Sequence, residues 1–253
     1  IRIASATGFQ GVDLGDCLRL IPFVSKPRER WWLVDTSSVL RIAIARALER
    51  VYVLPAFSPI MSKLRVALFG LGRAGQFHLQ SLRSIPNVEL ACVVDVDSAK
   101  ANSVASEMGC DIAATVEAAV SRDDVDATII ATPTGEHFSQ IKASLEAGKE
   151  VLTEKPLGQG LEEIEDCFEL AKARGKILFV GFNRRFDPTF ASLKRQVSEG
   201  AVGQLQMIKV TSRDSPLPSL DYLKTSHGIY HDCIVHDVDM LRFITGQDPV
   251  EVY

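Results

Sequence analysis

The sequence lacks a disulfide pattern, a long apolar run and a basic surplus. Its five cysteines include no CxxC pair, which is typical of reduced thiols in the cytosol. No apolar run approaches the roughly 20 residues that cross a bilayer. The net charge of -4 disfavours a nucleic-acid binder, which usually carries excess lysine and arginine. We therefore expect a cytoplasmic protein that binds neither a membrane nor nucleic acid.

The 253 residues suffice for two domains with separate cores. The chain begins at Ile1, and a strand pattern starts only after Met61. Residues 1–60 contain arginines interspersed with acidic residues, and these acids disfavour a mitochondrial presequence. We expect this segment to be a poorly ordered extension of unknown role.

From Leu64 onward, short β-rich runs alternate with segments of helical length. The runs are LRVALF, VELACVV, DATIIAT, EVLTE and KILFVGF, and glycines stand near the ends of three intervening helices. This alternation predicts an α/β fold with a doubly wound parallel sheet, a Rossmann domain, over residues 61–182.

The first predicted strand ends in a G-x-G-x-x-G motif at Gly70, Gly72 and Gly75. Such glycines permit a tight turn, the close approach of a pyrophosphate and close helix packing, while the helix N-terminus offers free N–H groups to the phosphates. The motif alone is weak, because tight turns use glycine anyway. The predicted cofactor-binding loop consists of Gly70, Leu71, Gly72, Arg73, Ala74 and Gly75.

An acidic residue at the end of the second strand strengthens this prediction. Asp95 lies 20 residues after Gly75, where a carboxylate can bind the ribose hydroxyls of a dinucleotide. It would repel a 2′-phosphate, so NAD is favoured over NADP. The alternative is that Asp95 only caps the next helix, although Asp97 and Ser98 could fill that role.

Two later strands also end in polar loops, which we expect at the carboxyl edge of the sheet where ligands bind. Thr132, Pro133 and His137 follow one strand, and His137 could contact the cofactor or only line the first helical turn. Glu154 and Lys155 follow the next. Pro156 keeps Lys155 out of the helical region, so Lys155 would extend toward a cofactor on this edge.

The chain resembles the glucose-fructose oxidoreductase and inositol dehydrogenase family, also called Gfo/Idh/MocA. The resemblance rests on VALFGLGRAG, Asp95, ATPTGEH, EKPLG and FNRRFDP, and it extends from about residue 62 to the end. It implies a second, α+β domain over residues 183–253 with an open antiparallel sheet, whose first strand would be QLQMIKVTSRD. The chain stops at Tyr253 within what would be the second strand, so we expect this domain to be incomplete and prone to aggregation or inactivity.

The same resemblance implies the catalytic residues. Lys155, Asp232 and His236 match the catalytic lysine, acid and histidine of this family, and Arg185 and Asp187 are weaker candidates for binding the other hydroxyls of a polyol. One departure is His227, which stands where a glycine is expected and could alter a turn beside the substrate.

The stretch HDCIVHDVD, residues 231–239, allows three interpretations. Asp232 and His236 are four residues apart and would share a helix face, with Asp239 one turn further on. Only two ligands converge, which disfavours zinc. A solvated polar face remains an alternative. Acid/base chemistry is favoured, because NAD-linked alcohol oxidation needs a base and histidine titrates nearest neutral pH.

The leading hypothesis is an NAD-dependent dehydrogenase that acts on a CH–OH group of a cyclic polyol or sugar, with myo-inositol as the expected substrate by resemblance. The alternatives are a dihydrodiol or other sugar dehydrogenase of the same family, and an NAD-binding protein without catalysis. Full-length members of the family are expected to form homo-oligomers through the sheet.

Overall fold

The computed structural model describes residues 63–213, 217–226 and 228–253. Numbered along the chain, the strands are β1 Leu64–Phe69, β2 Val88–Val94, β3 Asp111–Ile112, β4 Ala127–Ile130, β5 Glu150–Thr153 and β6 Leu178–Val180. All pair in parallel, in the order β3-β2-β1-β4-β5-β6. The chain winds outward in both directions from β1, which confirms the predicted doubly wound sheet.

Helices connect these strands, and their ends follow local sequence signals. Asp97 accepts hydrogen bonds from the backbone N–H groups of Ala99 and Lys100 and so caps the second helix. Gly109 and Gly175 end two helices with positive φ angles of 68° and 63°. The helices are α1 Arg73–Arg83, α2 Ser98–Met108, α3 Val116–Val120, α4 Thr134–Glu146 and α5 Leu161–Arg174.

The core lies on β1, which is buried along nearly its whole length. Val66 and Leu68 face a cluster that includes Leu79 and Leu82 of α1 and Val104 of α2. A parallel strand with helices on both faces needs such a continuous apolar run, because neither face meets water. The near-unbroken LRVALF run is therefore explained by the central position of β1.

The strands end level with one another at the carboxyl edge. Phe69, the last residue of β1, pairs with Val94 of β2 and with Ile130 of β4. Ile130 in turn pairs with Thr153 at the end of β5. The loops that follow these four strands therefore start side by side along one edge of the sheet.

The described residues divide into two units between Gly181 and Phe182, and each unit is described by itself. In the second unit, helix Val235–Thr245 packs against helix Pro188–Ser198. The small apolar core of this unit includes Ala191, Val238 and Ile244. Its elements are a 3-10 helix Asn183–Phe186, α6 Pro188–Ser198, α7 Leu220–Thr225, a π-helix Tyr230–Ile234 and α8 Val235–Thr245.

The strand predicted in QLQMIKVTSRD is wrong for the residues that the structure describes, because residues 204–213 are not paired into a sheet. A strand needs a neighbour for its backbone groups, and residues 182–213, 217–226 and 228–253 contain no other strand to supply one. Leu205 and Met207 are accordingly exposed. His227 and the predicted extension over residues 1–60 lie outside the described residues.

Within the described ranges, no helix is both long and apolar enough to cross a membrane. The four cysteines there, Cys92, Cys110, Cys167 and Cys233, form no disulfide.

Candidate active site

The glycine-rich turn after β1 has the close packing that its motif predicts. Gly70 has a φ of +86°, and a Cβ there would lie 2.7 Å from the carbonyl oxygen of Ala131. A Cβ on Gly75 would overlap the carbonyl oxygen of Gly70. Gly72 differs, because its Cβ would meet nothing within 4 Å. The first two glycines serve the packing of the turn, while Gly72 leaves open space beside the backbone.

Gly72 is also the N-cap of α1, and no side chain caps this helix end. The first N–H groups of a helix have no partner within the helix, and they attract anions together with the helix dipole. Arg73, in the first turn of α1, is exposed, while Leu71 is buried and Ala74 partly so. The open space at Gly72 and the uncapped helix end fit the pyrophosphate of a dinucleotide.

Asp95 is fixed to this loop at the end of β2. Its Oδ2 accepts a hydrogen bond of 2.6 Å from the backbone N–H of Leu71, and its Oδ1 accepts one of 2.8 Å from that of Asp97. Asp97, not Asp95, caps α2. The carboxylate of Asp95 therefore adjoins the glycine loop, and an oxygen that accepts one bond keeps a second lone pair for a ribose hydroxyl.

His137 is 1% exposed and lies between two loops of the carboxyl edge. Its Nδ1 is 2.7 Å from the carbonyl oxygen of Pro156, and its Nε2 is 2.9 Å from that of Thr132. Thr132 also donates its hydroxyl to Gln140 at 2.9 Å. Both ring nitrogens of His137 thus contact backbone carbonyl oxygens. Of its two predicted roles, these contacts favour a structural one in the first turn of α4 over a contact with the cofactor. Pro133, the N-cap of α4, is exposed.

Lys155 follows β5 and is half-buried. The preceding residue, Glu154, lies 2.8 Å from Nε2 of His78 on α1 and donates its own backbone N–H to Ile130. Burial alone would raise the pKa of Glu154, but the hydrogen bond and charge of His78, with a smaller contribution from Lys155, hold that pKa below its ordinary value. Glu154 is therefore ionised, and it joins α1 to the end of β5. The pairing of His78 with Glu154 was not predicted.

In the second unit, Asp232 lies in the π-helix, and His236 is the second residue of α8. The two are therefore not on one regular α-helix, but residues four apart lie near one face of a π-turn as they do in an α-turn, so their predicted shared face stays a prediction. Both side chains are partly buried, and the ring of His236 meets that of Phe182 edge-on at 6.3 Å between centroids. A π-turn of this kind is frequent at functional sites.

Asp239, which was predicted one turn further on, lies on α8 and has a structural contact of its own. Asp239 is fully buried and accepts hydrogen bonds from Arg185 with both of its carboxylate oxygens. Asp237 accepts a hydrogen bond from Arg184 with one oxygen. Sequence reasoning missed both ion pairs, whose only sequence signal is two adjacent arginines in FNRRFDP and two acids in HDVD.

The two weaker substrate candidates have structural contacts of their own. The guanidinium of Arg185 is held by Asp239 and lies 5.6 Å from the ring centre of Phe243. Asp187 caps α6 by accepting from the N–H groups of Thr189 and Phe190, which lower its pKa. These contacts explain both residues without a substrate, so their predicted role in polyol binding stays a prediction. Across the described ranges, no three His, Cys, Asp or Glu side chains group to hold a metal ion.

Comparison with known families identifies both parts of the chain. The family model described as "Oxidoreductase family, NAD-binding Rossmann fold" matches residues 64–182, and the Gfo/Idh/MocA C-terminal domain matches residues 190–253. The chain belongs to the Gfo/Idh/MocA family. This membership confirms the predicted family, and it shows that residues 190–253 match the family's C-terminal domain although the predicted strand is not formed among the described residues there.

Among curated Gfo/Idh/MocA proteins, an inositol 2-dehydrogenase of Rhizobium meliloti is 37% identical over 189 residues, which are 75% of this chain and 57% of that protein. A scyllo-inositol 2-dehydrogenase (NAD(+)) of Bacillus subtilis is 38% identical over 192 residues, with 75% and 56% covered. The chain thus spans little more than half the length of these relatives.

Solved structures give the same result. Scyllo-inositol dehydrogenase from Lactobacillus casei, solved with bound NAD(H) and scyllo-inositol, has a TM-score of 0.69 at 30% identity and covers 73% of this chain and 57% of its own. A myo-inositol dehydrogenase from Corynebacterium glutamicum has a TM-score of 0.67 at 35% identity, with 72% and 55% covered. Together with the glycine loop and Asp95, these findings support NAD as the cofactor of this Gfo/Idh/MocA chain, as predicted.

Proposed function

We propose that this chain carries the NAD site and catalytic residues of a dehydrogenase that oxidises a ring hydroxyl of a cyclic polyol, with myo-inositol as the first substrate to test. One observation carries the proposal. The glycine loop, Asp95 and Lys155 follow strands that end level, so a dinucleotide held at the loop would lie along the edge from which Lys155 extends. The inositol dehydrogenases named above support the substrate class.

The cofactor would be held by the backbone of residues 70–75 and by Asp95. When bound, NAD supplies the hydride acceptor. The chain itself must then bind the alcohol, remove the hydroxyl proton and stabilise the negative charge that develops on the oxygen.

We assign these tasks to three side chains. Lys155 donates a hydrogen bond to the reacting hydroxyl, and its positive charge stabilises the developing alkoxide. His236 accepts the hydroxyl proton, because a neutral imidazole is a base near physiological pH. Asp232 orients either the imidazole or the hydroxyls of the substrate. The predicted division of the chain into a domain over residues 61–182 and one over residues 183–253 is part of this proposal.

The test is the formation of NADH, followed by absorbance, with NAD and in turn myo-inositol, scyllo-inositol, glucose and a dihydrodiol. Lys155→Ala and His236→Ala should each lower kcat by about 100-fold or more, since each removes a proton-transfer or charge-stabilising group. Lys142→Ala is the matched control, because Lys142 is an exposed lysine of α4 whose side chain is 54% exposed.

NADH binding by fluorescence separates the parts of the proposal. Tight binding by the three variants, with turnover lost in two, supports it. Turnover with glucose or the dihydrodiol alone would mean that this compound, and not an inositol, represents the substrate class. Binding without any turnover by the unmodified chain would favour an NAD-binding role, and near-normal turnover by both alanine variants would refute the catalytic assignment.

A further inference from the structure

Lys155 is flanked by two contacts that tie its neighbours to different helices. On one side, Glu154 is bound to His78 of α1. On the other, the carbonyl oxygen of Pro156 lies 2.7 Å from the ring of His137 on α4. Because His137 is buried and also contacts the carbonyl oxygen of Thr132, this second side is held inside the protein. The contact between His78 and Glu154 is the more exposed of the two.

The carboxylate of Glu154 is partly buried as well as bound. Its side chain is 27% exposed, and it lies beside Gly181, which follows β6. Besides the bond from His78, the backbone N–H of Lys155 also acts on this carboxylate and contributes to its lowered pKa. Glu154 also directly precedes Lys155, so His78 holds the side chain of the residue to which Lys155 is covalently joined.

We propose that His78 is a positioning residue that acts through Glu154 to set the place of Lys155 at the edge of the sheet. This inference rests on the proposed function, in which Lys155 contacts the reacting hydroxyl. Reaction rates depend steeply on such placement, since a misplacement of about 1 Å can cost roughly 100-fold. His78 lies on α1, whose first turn is the proposed phosphate site, so one helix would hold both the cofactor and the residue next to Lys155.

Two variants of His78 separate positioning from packing. His78→Leu keeps bulk but removes the N–H donor, whereas His78→Gln keeps a donor near the position of Nε2. We expect His78→Leu to lower kcat with inositol by about 10- to 100-fold while the KM for inositol and the Kd for NADH change less than about threefold. His78→Gln should restore at least part of the loss.

A second measurement does not depend on turnover. The lysines of the cofactor-free chain are labelled with an amine-reactive reagent, and the rate at Lys155 is divided by that at Lys142, the exposed lysine on α4. Loss of the His78 contact loosens the peptide at Lys155, so this ratio should rise about threefold or more in His78→Leu and return toward its original value in His78→Gln.

The Glu154→Gln variant checks the route of the effect. If His78 acts through Glu154, adding His78→Leu to Glu154→Gln should cause little further change in the labelling ratio, because interacting residues are not additive. Full additivity would overturn the inference, as would an unchanged labelling ratio in a folded His78→Leu protein. If the unmodified chain shows no turnover at all, the proposed function fails while the labelling ratios still decide the role of His78.

Discussion

The two units are stabilised in different ways. In the first, the central strand buries Leu68 and Phe69 completely within an apolar core that lies between the sheet and its helices. In the second, the buried face of α8 includes Asp237 and Asp239, which pair with Arg184 and Arg185 of the 3-10 helix. The first unit has charge pairs too, such as that of Arg65 with Asp126, but there both side chains are more than a third exposed, whereas the side chain of Asp239 is 1% exposed.

The difference matters for the candidate site. Apolar packing tolerates exchanges of similar volume, but a buried carboxylate requires its cation because an unpaired charge is costly in a low-dielectric interior. Two adjacent arginines bind two acids that are two residues apart on α8. These bonds fix the rotation of α8 about its axis, and with it the direction of His236, which directly precedes Asp237. The charge pairs therefore serve orientation as much as stability.

Disrupting the close packing of the glycine loop in the first unit should cause the largest loss of stability. Gly75→Ala places a Cβ on the carbonyl oxygen of Gly70, so either the turn or α1 must move. We expect the free energy of unfolding to fall by about 3 kcal/mol. Urea denaturation measures the loss, and hydrogen exchange should locate it in β1 and α1.

The matched control is Gly72→Ala, three residues earlier, where the added Cβ meets nothing within 4 Å. Its stability should stay within about 0.5 kcal/mol of the original. It should weaken NADH binding, because the methyl group fills the space proposed for the pyrophosphate. Equal destabilisation by both substitutions would mean that close packing does not limit this turn.

Breaking one charge pair of the second unit should have the next largest effect. Asp239→Asn removes the charge that Arg185 binds through two contacts. Loss of one partner of a buried pair costs about 3 kcal/mol or more, and we expect about 2 kcal/mol here because the Arg185 side chain is 37% exposed. Hydrogen exchange should become faster in α8 and remain unchanged in β1.

Asp248→Asn provides the comparison, since Asp248 pairs with Arg242 but is 44% exposed. Its effect should stay below about 0.5 kcal/mol. If the two substitutions cost the same, then burial does not set the value of the Asp239 pair, and the contrast between the units fails.

Much of the first unit could be predicted from sequence because its signals are local. Leu64–Phe69 and Val88–Val94 match the predicted runs, since a parallel strand covered on both faces reads as a continuous apolar segment. The sheet edge that carries the candidate site followed from the positions of the strand ends. Strand Asp111–Ile112 and helix Val116–Val120 were missed because two and five residues are too short to show a period.

The contacts of the site were less predictable. The pairing of His78 with Glu154 joins residues 76 positions apart, and that of Arg185 with Asp239 spans 54. Contacts between residues so far apart in sequence leave no periodic pattern. One sequence therefore does not show whether a charged residue near a site motif binds the substrate or pairs with another residue of the protein. The π-turn at Tyr230–Ile234 was missed for a related reason, because helical spacing alone implies regular α-helix.

A smaller effect concerns the contact between His78 and Glu154 at the carboxyl edge of the first unit. Because the folded state lowers the pKa of Glu154 below its ordinary value of 4.5, its contribution to stability is complete above that pH and is lost as the pH falls through the lowered value. Glu154→Gln cannot titrate. We expect it to cost about 1 kcal/mol at pH 7 and the difference from the original chain to shrink below pH 4.5.

Urea denaturation at several pH values between 7 and 3 measures this difference. Glu165→Gln, at an exposed position of α5, is the control and should show no comparable pH dependence. A difference for Glu154→Gln that stays constant through the acid range would mean that the glutamate contributes by packing alone. The ionised carboxylate of Glu154 would then contribute nothing to the stability of the first unit, in contrast to the carboxylate of Asp239 in the second.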